Sequence, residues 1–318
     1  MTEGVSEMTT IGFIGLGVMG GAMCRNVAAK HPGRVLAFDL SPAAREALAD
    51  SRARPVADVA EIWTTADIVL LSLPGGKQVE AVCLGPDGIL SASRRPGTIV
   101  DLSTTSVATA KRLAGELGKA GVAFADAPVA RTREAAQRGK LSIMVGASNP
   151  LFSMVEPLLG YMGTDVMHVG PVGSGQFVKL VNNALLDVNV IAIAEAIGMA
   201  EKAGIDPAVM IEAVAQGSGD SYALHHHAPK SMLPRIYPEK SFPPEYKIKD
   251  LSYLLELAAS LDAPARSMEL ALRYYEETVS AGFGGRYFTA VREIITRPRD
   301  GTGVADTPPG TQAGALRE

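Results

Sequence analysis

A glycine-rich turn near the N-terminus constrains the fold of this chain more than any other feature. The segment that begins at Thr10 reads TIGFIGLGVMGGAMCRN, so an apolar run leads directly into Gly15-x-Gly17-x-x-Gly20 and a helical pattern follows. Between a parallel strand and a helix, the first glycine permits the tight turn and the second lets the backbone approach a ligand. The third lets the helix pack on the sheet. The pattern therefore predicts the strand–turn–helix unit that opens an α/β sheet.

The first half of the chain continues this alternation of strands and helices. Short apolar runs predict strands over residues 10–14, 34–39, 67–73, 98–101, 123–126 and 142–145. The segments between them have helical spacing and begin with Ser, Asp or Pro, most clearly at 42–51, 58–66 and 107–120. Such alternation is typical of a parallel sheet with helices on both faces.

The pattern changes after Gly175. Residues 176–203 read as one long, mostly apolar helix ended by Gly204, and further helices are predicted at 207–216, 248–261 and 265–281. We therefore expect an α/β Rossmann-type N-terminal domain over residues 10–173. An all-α C-terminal domain over 174–297 is expected to follow it, joined through the long helix. Residues 1–9 and 298–318 are expected to be disordered tails.

Composition excludes several classes of function. The net charge is -4 without a run of basic residues, so nucleic acid is not an expected partner. Cys24 and Cys83 lie far apart, and His225–His227 cannot converge on one ion from a regular helix, so no metal site is expected. The apolar stretch 191–200 is interrupted by Glu195 and is too short to span a bilayer. We expect a cytoplasmic protein with no membrane contact.

The glycine turn favours a dinucleotide as its ligand, because a helix N-terminus offers N–H donors and a positive dipole end to a pyrophosphate. Asp39 ends the second predicted strand, where a carboxylate can accept the ribose hydroxyls of NAD but would repel a 2′-phosphate. NAD is therefore expected rather than NADP. The loop 73–76 follows a predicted strand and faces the same crevice, although plain turn chemistry is the better explanation of the loop taken alone. The predicted cofactor-binding residues from this pattern are Gly15, Leu16, Gly17, Val18, Met19, Gly20, Asp39, Leu73 and Pro74.

The long helix carries polar residues on one face. Lys179, Asn182 and Asn183 stand at i, i+3 and i+4, so they point in a common direction. A partly desolvated lysine can lower its pKa towards neutrality, which suits proton transfer at a hydroxyl or carbonyl oxygen. The amides could orient the lysine and bind substrate. From the pattern alone, a polar contact between helices explains these residues equally well.

Four motifs together resemble a known family. They are GFIGLGVMGGAMCRN at 12–26, DLSTT at 101–105, DAPV at 126–129 and GSGQFVKLVNN at 173–183, with a weaker match, KIKDLSY, at 247–253. In this order and spacing they resemble the β-hydroxyacid dehydrogenase family, which includes 3-hydroxyisobutyrate dehydrogenase. The resemblance implies a homodimer or homotetramer that transfers a hydride between NAD and a short hydroxy acid.

The resemblance also implies roles for single residues. The catalytic lysine of the family corresponds to Lys179, and its neighbouring amide corresponds to Asn183. Ser103 corresponds to a serine at the substrate, and Thr104 to a threonine at the nicotinamide. Lys249 corresponds to a lysine near the cofactor and the active site.

The sequence departs from the family after DAPV. The family commonly continues with a serine and two glycines, whereas this chain has Ala130, Arg131 and Thr132. This loop is similar to that of the 3-sulfolactaldehyde reductase branch, and an arginine fork binds sulfonate or carboxylate well. The expected substrate-binding residues are Ser103, Arg131, Thr132 and Asn182, although Arg131 is also explained as a solvated loop charge. Leu186 stands where the sulfolactaldehyde enzymes have a serine, which argues against sulfonate specificity.

The combined expectation is an NAD-dependent dehydrogenase or semialdehyde reductase that acts on a small anionic substrate. One rival is an imine reductase of the same fold, which usually has aspartate or tyrosine in place of Lys179. Another is a non-catalytic NAD-binding module that recognises a partner, and such relatives tend to lose the lysine. The substrate itself and the role of His225–His227 are not predicted.

Overall fold

The structure, a computed structural model, describes residues 9–239 and 241–297, so the predicted tails lie outside the described residues except for Thr9. The described chain forms two compact units. The first contains residues 9–189 and 245–276, and the second contains the remainder. This division falls within the long helix, whereas the sequence predicts a boundary between residues 173 and 174. That boundary stays a prediction.

The first unit is built on one sheet. Its strands in the described residues are β1 (Ile11–Ile14), β2 (Val35–Phe38), β3 (Arg54–Pro55), β4 (Ile68–Leu71), β5 (Thr98–Asp101), β6 (Ala123–Asp126), β7 (Val129–Ala130), β8 (Leu141–Gly146) and β9 (Gly163–Gly170). The order is β3-β2-β1-β4-β5-β6-β8-β7, and β9 pairs with β8. Strands β1 to β6 are parallel, which confirms the Rossmann-type fold class.

The far end of the sheet differs from the sequence prediction. Strand β8 runs antiparallel to β6 and β7, and β9 adds a further strand that the sequence did not predict. The β9 sequence GTDVMHVG carries glycines and an aspartate, and much of the strand is exposed or half-buried. It therefore lacks the apolar run that identifies a buried strand. The strands β3 and β7 have only two residues each, too few for a periodic signal.

Helices cover both faces of this sheet. Those of the first unit are α1 (Gly20–Lys30), α2 (Pro42–Glu46), α3 (Val59–Thr65), α4 (Gly76–Leu84), α5 (Val107–Lys119), α6 (Arg133–Gln137), α7 (Asn149–Leu159), the first half of α8 (Ser174–Ala203), α11 (Pro244–Ser260) and α12 (Arg266–Thr278). Several begin at a side-chain cap, as where Ser106 accepts a hydrogen bond from the Thr109 backbone N–H at 3.1 Å. Two separate clusters of buried apolar side chains pack against the sheet.

Two helices end earlier than the sequence predicts. Helix α2 stops at Glu46 because the following residues turn through short-range bonds, including Ser51 N–H to Leu48 O at 2.8 Å. Helix α12 stops at Thr278 because the chain widens into a short π-helical turn over Val279–Phe283, in which Gly282 has a φ of 88°. A left-handed residue of this kind ends a helix.

The second unit contains the end of α8 together with α9 (Pro207–Ala215), α10 (Tyr222–His227) and α13 (Arg292–Ile295). Short π- and 3₁₀-helical turns cover Ala228–Met232, Val279–Phe283 and Phe288–Val291. Among the described residues of this unit, the only β pairing is an isolated bridge between Glu239 and Arg286. The prediction that this part of the chain is helical is confirmed.

Helix α8 has 30 residues and is apolar enough, by length and composition, to cross a membrane, contrary to the sequence estimate of a shorter apolar stretch. Half of its most apolar window is buried within the protein. The absence of a membrane contact stays a prediction.

Candidate active site

The three glycines of the N-terminal turn play different parts. Gly15 has a φ of 93°, and a Cβ on it would overlap with the carbonyl group of Ser72. A Cβ on Gly20 would overlap with the Gly15 carbonyl oxygen. A Cβ on Gly17, in contrast, would meet no atom within 4 Å. The first and third glycines are thus required by the protein's own packing, whereas the second leaves open space beside the N-terminus of α1.

This open space belongs to a cleft of about 440 Å³ in the first unit. The cleft is lined by Leu16, Gly17, Val18, Gly21, Ala22, Arg25, Arg133 and Gln137. Backbone N–H groups at a helix N-terminus and nearby guanidinium groups favour an anionic ligand. The cleft therefore fits the pyrophosphate of a dinucleotide on the predicted residues from Leu16 to Gly20, with Met19 as the residue preceding α1.

Asp39 lies directly beside the glycine turn. Its Oδ2 accepts a hydrogen bond from the Leu16 backbone N–H at 2.7 Å, and its Oδ1 accepts one from Ser41 N–H at 2.8 Å. The Arg45 guanidinium binds the backbone carbonyl of Asp39. The carboxylate is therefore held at the edge of the turn, where the ribose of a dinucleotide would lie. Its contact with ribose stays a prediction.

The first half of α8 and the helix α11 bring five polar residues together, which we call the α8–α11 cluster: Lys179, Asn182, Asn183, Lys249 and Asp250. The amide of Asn183 donates to Asp250 Oδ2 at 2.6 Å, and Asn182 Nδ2 donates to Asn183 Oδ1 at 3.1 Å. Since Asn183 and Asp250 are buried, these bonds fix the orientation of the amide. Asn182 and Asn183 thus form a connected pair, and their predicted roles towards Lys179 and the substrate stay predictions.

Lys179 is only 8% exposed and makes no hydrogen bond or ion pair with any residue in the described ranges. Burial lowers the pKa of this lysine to about 8, and the nearby positive charges of Lys247 and Lys249 act in the same direction. The negative charges of Asp250 and Asp187 oppose the shift. A buried amine that titrates near neutrality and has no partner of its own is suited to exchange a proton with a bound molecule.

Lys249 connects this cluster to two loops of the sheet. Its Nζ donates to the carbonyl oxygens of Pro74 at 3.2 Å and Thr104 at 3.1 Å, and lies 3.2 Å from Asp250 Oδ1. The ammonium also lies 5.5 Å from the ring centre of Tyr253. The predicted loops after β4 and β5 therefore meet the predicted lysine and asparagines at one place, the carboxyl ends of the strands.

A buried frame holds the start of α8 against these strand ends. Gln176 accepts a hydrogen bond from Thr105 N–H at 3.0 Å and donates to the Ser103 carbonyl oxygen at 2.8 Å. Ser103 Oγ in turn accepts from Leu73 N–H at 2.9 Å. Asp126 accepts from the backbone N–H groups of Gly173 at 2.7 Å and Gln176 at 2.8 Å. This frame fixes the N-terminal turn of α8, from which Lys179 projects one turn later.

Arg131 and Thr132 do not join the α8–α11 cluster. The Arg131 guanidinium pairs with Asp165 at 2.7 Å and donates to the Lys140 carbonyl oxygen at 2.8 Å and to Thr164 Oγ1 at 3.1 Å. Thr132 caps α6 by accepting from Ala135 N–H at 3.3 Å. The structure thus differs from the expectation of a free anion-binding fork. Binding of an anion by Arg131 would require the ion pair with Asp165 to open, and this role stays a prediction.

The structure adds site residues that the sequence reasoning missed, chiefly Asp250, Gln176 and Asp126. Asp250 follows Lys249 directly, and its position three residues after Lys247 places both on one face of α11. That spacing groups Asp250 with Lys247 on one helix face, but it does not identify Asp250 as a partner of α8. Gln176 and Asp126 give no such signal, because their partners are backbone groups far away in the sequence.

The three consecutive histidines have separate partners. His225 pairs with Asp220 at 2.6 Å, and the His226 ring stacks on Tyr222 with 3.9 Å between ring centres. The Nδ1 of His227 lies 2.9 Å from the hydroxyl of Tyr287. Among the residues that the structure describes, no group of three or more His, Cys, Asp or Glu side chains could hold a metal ion.

Comparison with known families gives two matches that together cover most of the chain. Residues 10–170 match the NAD binding domain of 6-phosphogluconate dehydrogenase. Residues 173–295 match the NAD-binding domain of NADP-dependent 3-hydroxyisobutyrate dehydrogenase. The first match contains the glycine turn and the second contains Lys179.

Individual relatives agree with these matches. The chain is 35% identical to 2-(hydroxymethyl)glutarate dehydrogenase of Eubacterium barkeri over 284 residues, covering 89% of this chain and 94% of that protein. It is 34% identical to 3-hydroxyisobutyrate dehydrogenase of Pseudomonas aeruginosa over 294 residues, covering 90% of this chain and 98% of that protein. Its structure is similar to that of Mycobacterium tuberculosis 3-hydroxyisobutyrate dehydrogenase with L-serine, with a TM-score of 0.82, 29% identity and coverage of 91% and 100%.

Proposed function

Because this chain belongs to the β-hydroxyacid dehydrogenase family, whose members are NAD(P)-dependent oxidoreductases of CH–OH groups, we propose that it interconverts a short anionic 3-hydroxy acid and its semialdehyde with NAD. The observation that carries the proposal is the buried Lys179 amine, which has no partner among the described residues and lies in a cluster tied to the loops of the dinucleotide sheet. The cleft at Gly17 fits the cofactor.

The proposed chemistry assigns a separate task to each side chain of the cluster. When bound, NADH supplies the hydride. Lys179 donates a proton to the carbonyl oxygen of the aldehyde during reduction, and takes it from the hydroxyl during oxidation. Asn183 is held by Asp250 and orients the reacting oxygen towards Lys179. Lys249 holds the loops at Pro74 and Thr104 together, so that the hydride-bearing ring and the substrate would meet beside Lys179.

The substrate is proposed to carry a carboxylate or sulfonate. Both named relatives are dehydrogenases of hydroxy acids, which supports an acidic substrate. Ser103 and Asn182 are the predicted contacts near Lys179, and Arg131 with Thr132 would contribute only after the pair with Asp165 opens. A carboxylate semialdehyde is therefore favoured over 3-sulfolactaldehyde.

A panel of aldehydes tests this proposal. NADH oxidation is followed with methylmalonate semialdehyde, tartronate semialdehyde, succinate semialdehyde, sulfolactaldehyde and a cyclic imine, using the wild type and Arg131→Ala. We expect turnover of at least one carboxylate semialdehyde. Equal rates in the two proteins would remove Arg131 from the site. Tight NADH binding without turnover of any aldehyde would favour the partner-recognition module, and turnover of cyclic imines alone would favour an imine reductase. The predicted homodimer or homotetramer and the cytoplasmic location stay proposals.

The pH dependence of turnover follows from the pKa of Lys179, which burial lowers to about 8. Reduction requires the protonated lysine, so kcat/KM for the aldehyde is expected to be constant below about pH 8 and to fall above it, about tenfold per pH unit. Oxidation requires the neutral amine, so kcat/KM for the hydroxy acid is expected to rise up to about pH 8 and then level off. Steady-state rates in both directions measure this. A reduction rate that rises through this range would contradict the assignment, provided that NADH affinity stays constant.

Preference for NAD over NADP is proposed to depend on Asp39. In Asp39→Asn, the amide oxygen can still accept from Leu16 N–H, but the charge that repels a 2′-phosphate is lost. We expect the ratio of NADPH to NADH affinity to rise about tenfold, equivalent to about 1.4 kcal/mol. Fluorescence titration with both cofactors measures this ratio. Glu46→Gln, on the exposed side of α2, removes the same charge nearby and is expected to leave the ratio unchanged. A similar change in both variants would contradict a specific role for Asp39.

A further inference from the structure

A second charged pair lies in the interior beside the α8–α11 cluster, and the proposed chemistry does not use it. Lys247 of α11 and Asp187 of α8 form an ion pair at 2.8 Å, and their side chains are 1% and 0% exposed. Tyr275 of α12 donates a hydrogen bond to Asp187 Oδ1 at 3.3 Å. Both charges are therefore removed from water and held in place.

The position of this pair is fixed relative to the proposed proton-transfer group. Lys179, Asn183 and Asp187 stand at i, i+4 and i+8, so they follow one face of α8. On α11, Lys247 and Asp250 stand at i and i+3. The Asn183–Asp250 hydrogen bond and the Asp187–Lys247 ion pair thus join the same two helices at successive turns. Lys179 lies one turn before the first of these links.

Structural need alone does not account for the pair. Burying two charges carries a desolvation cost that their mutual attraction only partly offsets, and apolar side chains of similar volume commonly hold helices together as well or better. A buried charge acts over a longer distance than a solvated one, because the interior screens it weakly. The ammonium of Lys247 therefore acts on other charges of the cluster.

We propose that the Lys247–Asp187 pair is a positioning device for proton transfer: Asp187, on the face of α8 that carries Lys179, holds the Lys247 ammonium in the dry interior, so that a fixed positive charge acts on the proton-transfer group. The inference rests on the proposed function of Lys179. It assigns to Lys247 and Asp187 a role in tuning that residue without contact with substrate.

The charges that face Lys179 determine the sign of the effect. From α11, Asp250 favours its protonated form, whereas Lys247 and Lys249 favour its neutral form. From its own helix, Asp187 favours the protonated form, with a smaller influence than Lys247. Removal of Lys247 alone should therefore raise the pKa of Lys179. Removal of both members of the pair should raise it less.

Direct titration of Lys179 tests the proposal without using turnover. The rate at which cyanate modifies Lys179 in the folded protein is measured by mass spectrometry between about pH 6 and about pH 10. Lys247→Met is expected to move the midpoint upward by about half a pH unit or more, and Lys247→Met/Asp187→Asn by less. Lys202→Met, an exposed change on the same helix, is the control and should leave the midpoint unchanged.

The double variant keeps the test decisive if Lys247→Met fails to fold, because it leaves no unpaired buried charge. An unchanged midpoint in folded Lys247→Met, or in the folded double variant, would overturn the proposal. Failure of the double variant to fold would overturn it too, since the pair would then be a structural requirement. A wild-type protein that reduces no aldehyde would overturn the proposed function instead. The two failures are distinguishable because the cyanate titration of Lys179 does not depend on turnover.

Discussion

Replacement of Lys179 by alanine is expected to lower kcat for aldehyde reduction at least about 1000-fold, while NADH binds as tightly as in the wild type. The lysine is the proposed proton donor, and no other titratable side chain of the cluster is free of an ion pair or hydrogen bond in the described ranges. The glycine turn that receives the cofactor is built by other segments of the chain. Stopped-flow reduction and NADH fluorescence titration separate the two effects.

Two further variants make this result interpretable. Lys179→Arg keeps a positive charge but cannot release its proton near neutral pH, so we expect a loss comparable to that in the alanine variant. Lys202→Ala removes an exposed lysine from the same helix and should turn over like the wild type. Near-normal turnover by Lys179→Ala with intact NADH binding would contradict its assignment as the proton-transfer group.

The features that the sequence predicted well are those that local geometry specifies. The glycine turn at Gly15, Gly17 and Gly20 stands between a strand and a helix, and Gly15 and Gly20 have no room for a side chain. The approach of a ligand to Gly17 stays a prediction. The common face of Lys179 and Asn183 follows from helical spacing alone. The order of these local patterns predicted the family and the Rossmann-type fold, and the family matches confirm both.

The features that the sequence did not predict depend on contacts between distant segments. Asp250 becomes part of the site only because α11 packs beside α8. There it accepts a hydrogen bond from Asn183, which lies 67 residues earlier in the chain. Asp165, the partner of Arg131, lies on β9, which was itself not predicted because it lacks a continuous apolar run. The loop sequence could not show that the Arg131 guanidinium is already paired. Its partner Asp165 lies on a strand that the sequence pattern does not reveal.

The second large effect is expected at the glycine turn, where neighbouring glycines should respond differently to alanine. Gly17→Ala adds a methyl group to open space, so the free energy of unfolding should change by less than about 1 kcal/mol. The same methyl group would occupy the approach to the pyrophosphate, and NADH affinity should fall about 10-fold to 100-fold. Gly20→Ala places the methyl group against the Gly15 carbonyl oxygen, so the free energy of unfolding should fall by about 3 kcal/mol. Urea unfolding and NADH titration of both variants measure the contrast.

The contrast tests the cofactor site separately from the fold. Gly115→Ala serves as the control: it also adds a methyl group with no atom within 4 Å, but within α5 and outside the glycine turn. There it should preserve NADH affinity and increase stability slightly, because alanine is the better helix former. If Gly17→Ala binds NADH as tightly as this control, the pyrophosphate does not approach the backbone at Gly17. A stable Gly20→Ala protein would show that α1 can shift relative to the turn, and the packing reason for the third glycine would fail.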